Sequence, residues 1–136
     1  MADSKLDPNK SYGWTGKILR VNLTDKTVSV SPTDPYKEYL GGMRIANKIM
    51  YDEVPAGTDP LSPENKIVFA VGPLTATGVP LAGRTTIDSL STYTTDHQVV
   101  DAHTGGMIGA AIKKAGWDAI VIAVSYTHLR AHETRS

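Results

Sequence analysis

Two glycine pairs are the first features of this chain that suit the binding of a phosphate-bearing ligand. Gly41-Gly42 and Gly105-Gly106 each stand directly before a segment with helical spacing. Glycine lets a backbone approach a flat ligand closely, and the free amides that open a helix can bind an anion. The same spacing also describes a tight turn and a helix cap, and the residues alone favour that simpler interpretation.

Two arginines follow glycines and could supply the positive charge that a phosphate needs. Arg44 lies just after the first glycine pair, and Arg84 follows Gly83 where a β-branched, alternating segment begins. A guanidinium is permanently charged and can bond a phosphate through two parallel hydrogen bonds. The usual alternative is an exposed strand arginine without a ligand.

His103 stands just before the second glycine pair and two residues after Asp101. Alternate residues of an extended segment share a face, so these two side chains are predicted to lie side by side. A histidine beside a carboxylate is one arrangement that general acid–base catalysis uses. A capping or loop histidine is the interpretation that the residues alone favour.

Composition excludes several kinds of site and partner. The 136 residues include no cysteine, so the chain itself forms no disulfide and holds no thiolate metal site or iron–sulfur cluster. Basic and acidic residues balance at 14 each, which argues against attraction to nucleic acid or an anionic membrane. No apolar run could span a bilayer, and residues 1–10 lack the apolar core of a secretory signal. We therefore expect a cytoplasmic domain without a nucleic-acid or membrane partner.

The hydrophobic pattern predicts an α+β fold with a mixed or antiparallel sheet and three helices. Strands are predicted at residues 17–23, 27–31, 67–71, 84–89, 99–100 and 119–124. The first two strands are predicted to form a hairpin, and the third to be buried on both faces. Helices are predicted at residues 35–40, 43–54 and 107–115.

Two of these helices have a predicted buried face. Ile45, Ile49 and Met50 recur along one side of the second helix. Thr104 is predicted to cap the third helix. The predicted buried face of that helix comprises Met107, Ile108, Ala111, Ile112 and Ala115.

Two longer segments are distinctive, GWTGKILRVNLT at residues 13–24 and DPLSPENKIVFAVGPLT at residues 59–75. Shorter segments accompany them at residues 39–42, 48–55, 83–84, 105–106 and 114–122. In order and spacing they resemble the first domain of the tungsten-containing aldehyde ferredoxin oxidoreductases. The resemblance runs over residues 13–122 and is therefore specific.

The resemblance implies the N-terminal part of a longer enzyme. The family's first domain is a two-sheet base built from two similar halves, and residues 13–124 cover about the first half. Residues 1–12 are expected to be a flexible leader. The family pattern stops before residues 125–136, which we expect to be a non-native or disordered tail. Some strands are then expected to lack partners, leaving the core incompletely covered.

An activity and a set of cofactors follow from the same resemblance. Such enzymes oxidise aldehydes to carboxylic acids and pass electrons to ferredoxin or a related iron–sulfur carrier. The implied cofactors are tungsten or molybdenum held by two pyranopterins, magnesium bridging the pterin phosphates, and a 4Fe-4S cluster further downstream. This fragment is expected to hold cofactor, to contain no catalytic residue and to be inactive alone. A homodimer is one option for the full-length enzyme.

The resemblance implies roles for seven residues of this chain. The expected cofactor-binding set is Gly41, Gly42, Arg44, Arg84, His103, Gly105 and Gly106. Arg84 would pair with a pterin phosphate, and the backbone carbonyl of His103 would help to bind magnesium. The family usually has Gly-Gly-Arg-Gly where this chain has Gly-Gly-Met-Arg, which displaces Arg44 by one position. Two alternatives stay open, a non-catalytic phosphate- or nucleotide-binding module and a structural domain whose glycines only cap helices.

Overall fold

The computed structural model describes residues 12–123, which form one six-stranded sheet with two α-helices and a 3₁₀ helix. The strands are β1 (Lys17–Asn22), β2 (Thr27–Pro32), β3 (Lys66–Val71), β4 (Thr85–Leu90), β5 (Val99–Thr104) and β6 (Ala119–Ala123). The helices are α1 (Met43–Glu53), α2 (Ile108–Lys114) and the 3₁₀ helix Asp34–Tyr39. The predicted α+β fold with a mixed sheet and three helices is confirmed. The predicted tail, and all of the predicted leader except Tyr12, lie outside the described residues.

The strand order β2-β1-β6-β3-β4-β5 combines local and distant pairings. β1 and β2 form the predicted antiparallel hairpin, and β1 runs parallel to β6. The remaining pairs of this sheet are antiparallel. At the β4–β5 edge, Thr86 lies opposite His103 and Asp88 lies opposite Asp101. Because paired residues project to the same side of a sheet, these four side chains share one face.

Helix α1 covers that face of the sheet. Its apolar stripe is buried as predicted, with Ile45 and Ile49 fully inaccessible and Met50 1% exposed. Val54 ends the helix in an extended conformation, and its amide donates to the Met50 carbonyl. The stripe packs onto Ile18, Val68, Ala70, Ala119 and Val121 of the strands. This cluster is the core that holds β4 and the loops beside it in place.

The opposite face of the sheet carries a second apolar row that is only partly covered within residues 12–123. The row comprises Leu19, Val21, Val28, Val30, Ile67, Phe69, Ile87, Ile120 and Ile122. Val28 and Val30 are 66% and 57% exposed. The prediction that the third strand is buried on both faces is therefore wrong on one side. Ile67 and Phe69 are half-buried because α1 packs only onto the side of β3 that carries Val68.

Helix α2 meets the sheet through a glycine. Gly109 is buried, and a Cβ there would lie 2.7 Å from Thr85 Oγ1 and 2.8 Å from the Gly83 carbonyl oxygen. Ile112 is buried as predicted, and the three-residue spacing from Gly109 defines the contacting side. The prediction of burial is wrong for the other four residues, which are exposed to solvent. Those exposed residues are Met107, Ile108, Ala111 and Ala115.

The predicted Thr104 cap is also wrong. Thr104 is the last residue of β5, and its hydroxyl donates to the neighbouring Gly105 carbonyl. Helix α2 begins only at Ile108, after Met107 in the N-cap position, and no side chain caps it. β5 extends to Thr104, although the sequence predicted an extended segment only at Val99 and Val100. The glycine pair therefore lies in the turn between Thr104 and α2.

We expect Gly109→Ala to lower the free energy of unfolding by up to about 2 kcal/mol. The added methyl group overlaps the Gly83 carbonyl, which is backbone and cannot rotate away, and overpacking typically costs about 1–3 kcal/mol. The better helix propensity of alanine offsets about 1 kcal/mol. Gly105→Ala is the matched control, because no other atom lies within 4 Å of its built Cβ. Equal urea midpoints for the two variants would contradict the close contact.

A buried carboxylate, Asp118, ties the N-terminal segment to the sheet. Its oxygens accept hydrogen bonds from the amides of Thr15 and Gly16, the Thr33 hydroxyl and Lys113 Nζ, at 2.7–2.9 Å. Burial by itself would raise the pKa of Asp118, but the hydrogen bonds from Lys113, Thr15 and Thr33 lower that pKa on balance. Asp118 is therefore a charged anchor of the fold that sequence inspection did not single out.

Candidate functional site

An open cleft of about 520 Å³ lies beside the first turn of α1, where three loops meet. One wall is the turn that leads into α1, and another is the loop that follows β3. The third is the segment before β4, together with the first residues of that strand. The lining residues are Leu40, Gly41, Gly42, Gly72, Pro73, Leu74, Thr75, Leu81, Ala82, Arg84 and Thr86. The structure thus brings the first glycine pair and Arg84 together, although they are far apart in the chain.

The first glycine pair shapes this cleft through close backbone packing. A Cβ at Gly41 would lie 2.8 Å from Pro73 Cδ and 2.9 Å from Gly72 Cα, so a side chain cannot fit there. Gly42 has a φ of 56°, and its amide donates to the Val71 carbonyl at 3.2 Å. Both glycines are required for the turn itself, and both leave an apolar, side-chain-free wall facing the cleft.

Arg84 is the charged residue among those lining the cleft. It is exposed, and it forms no ion pair with any residue between 12 and 123. Arginines on protein surfaces commonly find a carboxylate, whereas this guanidinium stands free at the mouth of a glycine-lined depression. Its five donors are therefore available to an anion in the cleft.

Arg44 lies elsewhere. It projects from the first turn of α1 into a neighbouring groove of about 480 Å³ and does not line the cleft. The groove is lined by Tyr39, Arg44, Asn47, Lys48, Tyr51 and Val99. The structure therefore does not bring Arg44 into the cleft that Arg84 lines, and a cofactor-binding role for Arg44 stays a prediction.

The second glycine pair also stands outside the cleft lining. A Cβ built on Gly83 would be 3.4 Å from the Gly106 carbonyl oxygen, so this turn passes close to the residue before Arg84. Gly106 has a φ of 79°, a conformation that favours glycine. No other atom lies within 4 Å of a Cβ built on either glycine, which leaves open space on that side.

His103 reaches the cleft indirectly, through Thr86. Thr86 Oγ1 lies 3.2 Å from His103 Nδ1, and His103 Nε2 lies 2.8 Å from Asp101 Oδ2. The predicted side-by-side placement of Asp101 and His103 is present. Sequence inspection missed Thr86, although one signal was available, because strand alternation places it on the same side as Arg84.

A second buried aspartate, Asp88, lies on the same face of the sheet as Thr86 and His103. Asp88 is fully buried, and neither of its carboxylate oxygens has a hydrogen-bond partner. Burial and, to a smaller extent, the neighbouring Asp101 raise the pKa of Asp88, His103 acts in the opposite direction, and the pKa that results is about 6. Within residues 12–123, however, no group of three or more histidine, aspartate or glutamate side chains is placed to hold a metal ion.

Comparison with known proteins decides the family. The family model for the aldehyde ferredoxin oxidoreductase N-terminal domain matches residues 18–125. The chain belongs to this family. A tungsten-containing aldehyde ferredoxin oxidoreductase from Pyrococcus abyssi is 41% identical over 119 residues, which cover 86% of this chain and 19% of that protein. The chain therefore spans about a fifth of the length of this relative.

Two further relatives of this aldehyde ferredoxin oxidoreductase N-terminal domain carry different names. The WOR-like subunit of an aliphatic sulfonate oxidoreductase from Pyrococcus furiosus is 33% identical over 117 residues, covering 82% of this chain and 18% of that protein. A chain in the solved active-site complex BamBC of benzoyl coenzyme A reductase with 1,5-dienoyl-CoA is 34% identical with a TM-score of 0.77. The match covers 82% of this chain and 17% of that one. The family is one of oxidoreductases whose named substrates differ.

The lining of the cleft contains no carboxylate or imidazole that could ligate a metal ion. Its polar side chains are the Arg84 guanidinium and the hydroxyls of Thr75 and Thr86, and Gly41 and Gly42 leave one wall without side chains. The chain has no cysteine, and the described residues contain no side-chain cluster that could hold a metal. No described helix is long and apolar enough to cross a membrane.

Proposed function

We propose that this domain binds a phosphate of a pyranopterin cofactor in the glycine-lined cleft. The observation that supports the proposal is Arg84, an exposed guanidinium in the cleft without an acidic partner among residues 12–123. Arginine bonds phosphate in bidentate fashion, and such charge-assisted hydrogen bonds are about twice as strong as neutral ones. Tungsten in the names of the relatives supports a pterin that carries tungsten, and molybdenum is the alternative metal.

We further propose that the full-length protein oxidises aldehydes to carboxylic acids and passes the electrons to ferredoxin or a related iron–sulfur carrier in the cytoplasm. The metal–pterin would supply the redox chemistry, and residues of this domain would bind and orient it. The proposal includes magnesium between the pterin phosphates, bound in part by the His103 carbonyl, and a 4Fe-4S cluster outside this chain. It assigns no catalytic residue here and leaves a full-length homodimer open.

The glycine pairs have distinct parts in this proposal. Gly41 and Gly42 form a wall without side chains against which a pterin ring can lie. Gly105 and Gly106 leave open space beside Gly83, next to the proposed phosphate position. In this proposal their backbone amides and carbonyls would contact the magnesium-bound phosphates, and the ring would lie on the Gly41 side.

We expect Arg84→Ala to weaken phosphate binding by roughly 10- to 100-fold, because a hydrogen bond to a charged group contributes about 1.5–3 kcal/mol. Inorganic pyrophosphate can be titrated into the chain while backbone amide shifts of the cleft loops are followed by NMR. Arg84→Lys should restore part of the affinity, since it keeps the charge but not the bidentate geometry.

Arg44→Ala is the matched control for this titration. It removes the same side chain from the same neighbourhood, but from the groove beside the cleft. We expect its pyrophosphate affinity to stay within about twofold of the unmodified chain. A larger loss with Arg44→Ala than with Arg84→Ala would move the phosphate site to that groove. In the full-length protein, Arg84→Ala should lower the pterin released on denaturation while the melting temperature is retained.

A further inference from the structure

Three hydrogen-bonded side chains, those of Asp101, His103 and Thr86, form a row from the edge of the sheet to the floor of the cleft. Asp101 Oδ2 contacts His103 Nε2 at 2.8 Å, and His103 Nδ1 contacts Thr86 Oγ1 at 3.2 Å. Thr86 is 4% exposed and lines the cleft, and its Oγ1 lies 3.8 Å from a Cβ built on Gly42. The hydroxyl is therefore held under the glycine wall by a partner that is itself held by a carboxylate.

The order of the row sets the direction of its hydrogen bonds. An ionised carboxylate only accepts, so the proton of a neutral His103 resides on Nε2 and is donated to Asp101. Nδ1 is then an acceptor, and Thr86 donates its single hydroxyl proton to it. The remaining lone pairs of Thr86 Oγ1 are left for a group in the cleft. Thr86 therefore presents an acceptor to the cleft, whereas Arg84 presents only donors.

We propose that Thr86 accepts a hydrogen bond from an N–H group of the heterocycle bound in the cleft, and that Asp101 and His103 position it for that bond. The inference rests on the proposed pterin function and extends it from the phosphate to the ring. Arg84 and Thr86 are two residues apart at the start of β4, a separation of about 7 Å along an extended chain. One ligand with a phosphate at one end and ring N–H groups at the other can contact both.

The test compares two ligands that share a phosphate but not a ring. Neopterin 3′-monophosphate has a pterin on a three-carbon phosphate chain, and glycerol 3-phosphate is similar to that chain alone. We expect Thr86→Val, which is nearly the same size, to weaken neopterin phosphate binding by about five- to tenfold, as for a lost hydrogen bond. Binding of glycerol 3-phosphate should not change. Thr86→Ser, which keeps the hydroxyl, should restore most of the affinity for the pterin.

The positioning role of Asp101 has its own measurement. Asp101→Asn removes the charge that keeps the histidine proton on Nε2, so the nitrogen-15 shifts of His103 at mildly alkaline pH should lose the pattern of a single tautomer. Affinity for neopterin phosphate should fall with it, and affinity for glycerol 3-phosphate should not. If His103 keeps its tautomer and pterin binding is unchanged, Asp101 does not position the row.

The two proposals fail in distinguishable ways. If neither ligand binds, or if Arg84→Ala leaves both affinities unchanged, the phosphate site itself is overturned. Both ligands could bind through Arg84 while Thr86→Val weakens the binding of both equally or of neither. In that case the phosphate site stands, and the acceptor role of Thr86 is overturned. Amide spectra of each variant establish that the fold is retained, so a loss of pterin affinity alone is attributable to the cleft.

Discussion

Asp118→Ala is expected to lower the free energy of unfolding by about 3–5 kcal/mol, the typical effect of removing one partner from a buried ion pair. The substitution leaves the Lys113 ammonium, whose side chain is only 9% exposed, without its carboxylate. It also leaves the amides of Thr15 and Gly16 and the Thr33 hydroxyl without their acceptor. Domains of this size are commonly stable by about 5–15 kcal/mol, so little of the native state should remain in mild urea.

A second substitution separates the charge effect from the loss of packing. Lys113→Met in the Asp118→Ala background removes the unpaired ammonium, and we expect it to recover part of the lost stability. Because hydrogen bonds hold the pKa of Asp118 below its ordinary value, its stabilisation is present above pH 3.8. It is lost as the pH falls through the lower, folded-state pKa. A double mutant no more stable than Asp118→Ala would show that the ion pair adds little beyond the backbone hydrogen bonds.

Local signals were sufficient to predict most elements of this fold. The α1 stripe of Ile45, Ile49 and Met50 repeats at helical spacing, so its burial follows from sequence alone. α2 shows where such reasoning fails, because its contact with the sheet depends on the missing side chain of Gly109. A pattern of apolar residues cannot report a close approach that glycine permits. The surface that helix α2 turns to solvent could therefore not be derived from periodicity.

The cleft could be predicted only in part, for a similar reason. Gly41, Gly42 and Arg84 were identified as candidates, but strand order decides which of them meet. Arg44 lies two residues after Gly42 in sequence, yet its position in the first turn of α1 places it in another groove. Thr86 carries no motif and becomes notable only because β4 pairs with β5 in a register that places it opposite His103.

The two fully buried aspartates among residues 12–123 have opposite surroundings. Asp118 has four hydrogen-bond donors, whereas Asp88 has none and faces another carboxylate, Asp101. An unpartnered carboxylate in an apolar interior is costly in its charged form, and this cost raises the pKa of Asp88. The fold therefore tolerates Asp88 beneath α1 without stabilising its charge. His103, which lies on the same face of the sheet, offsets only part of that cost.

Asp88→Val is therefore expected to stabilise the chain at neutral pH, by about 2–3 kcal/mol at 1.36 kcal/mol per pKa unit. The pKa of Asp88 rises from 3.8 to about 6 on folding. Between these values the folded state binds a proton that the unfolded state has released, so stability falls as the pH rises. The advantage of valine should thus be small near pH 4, grow up to about pH 6 and then level off. Urea unfolding across this range measures it, with Asp101→Asn as the control that removes the neighbouring charge but leaves Asp88 buried. A constant difference between Asp88→Val and the unmodified chain at all these pH values would mean that Asp88 is paired or solvated, and that its burial does not shift its ionisation.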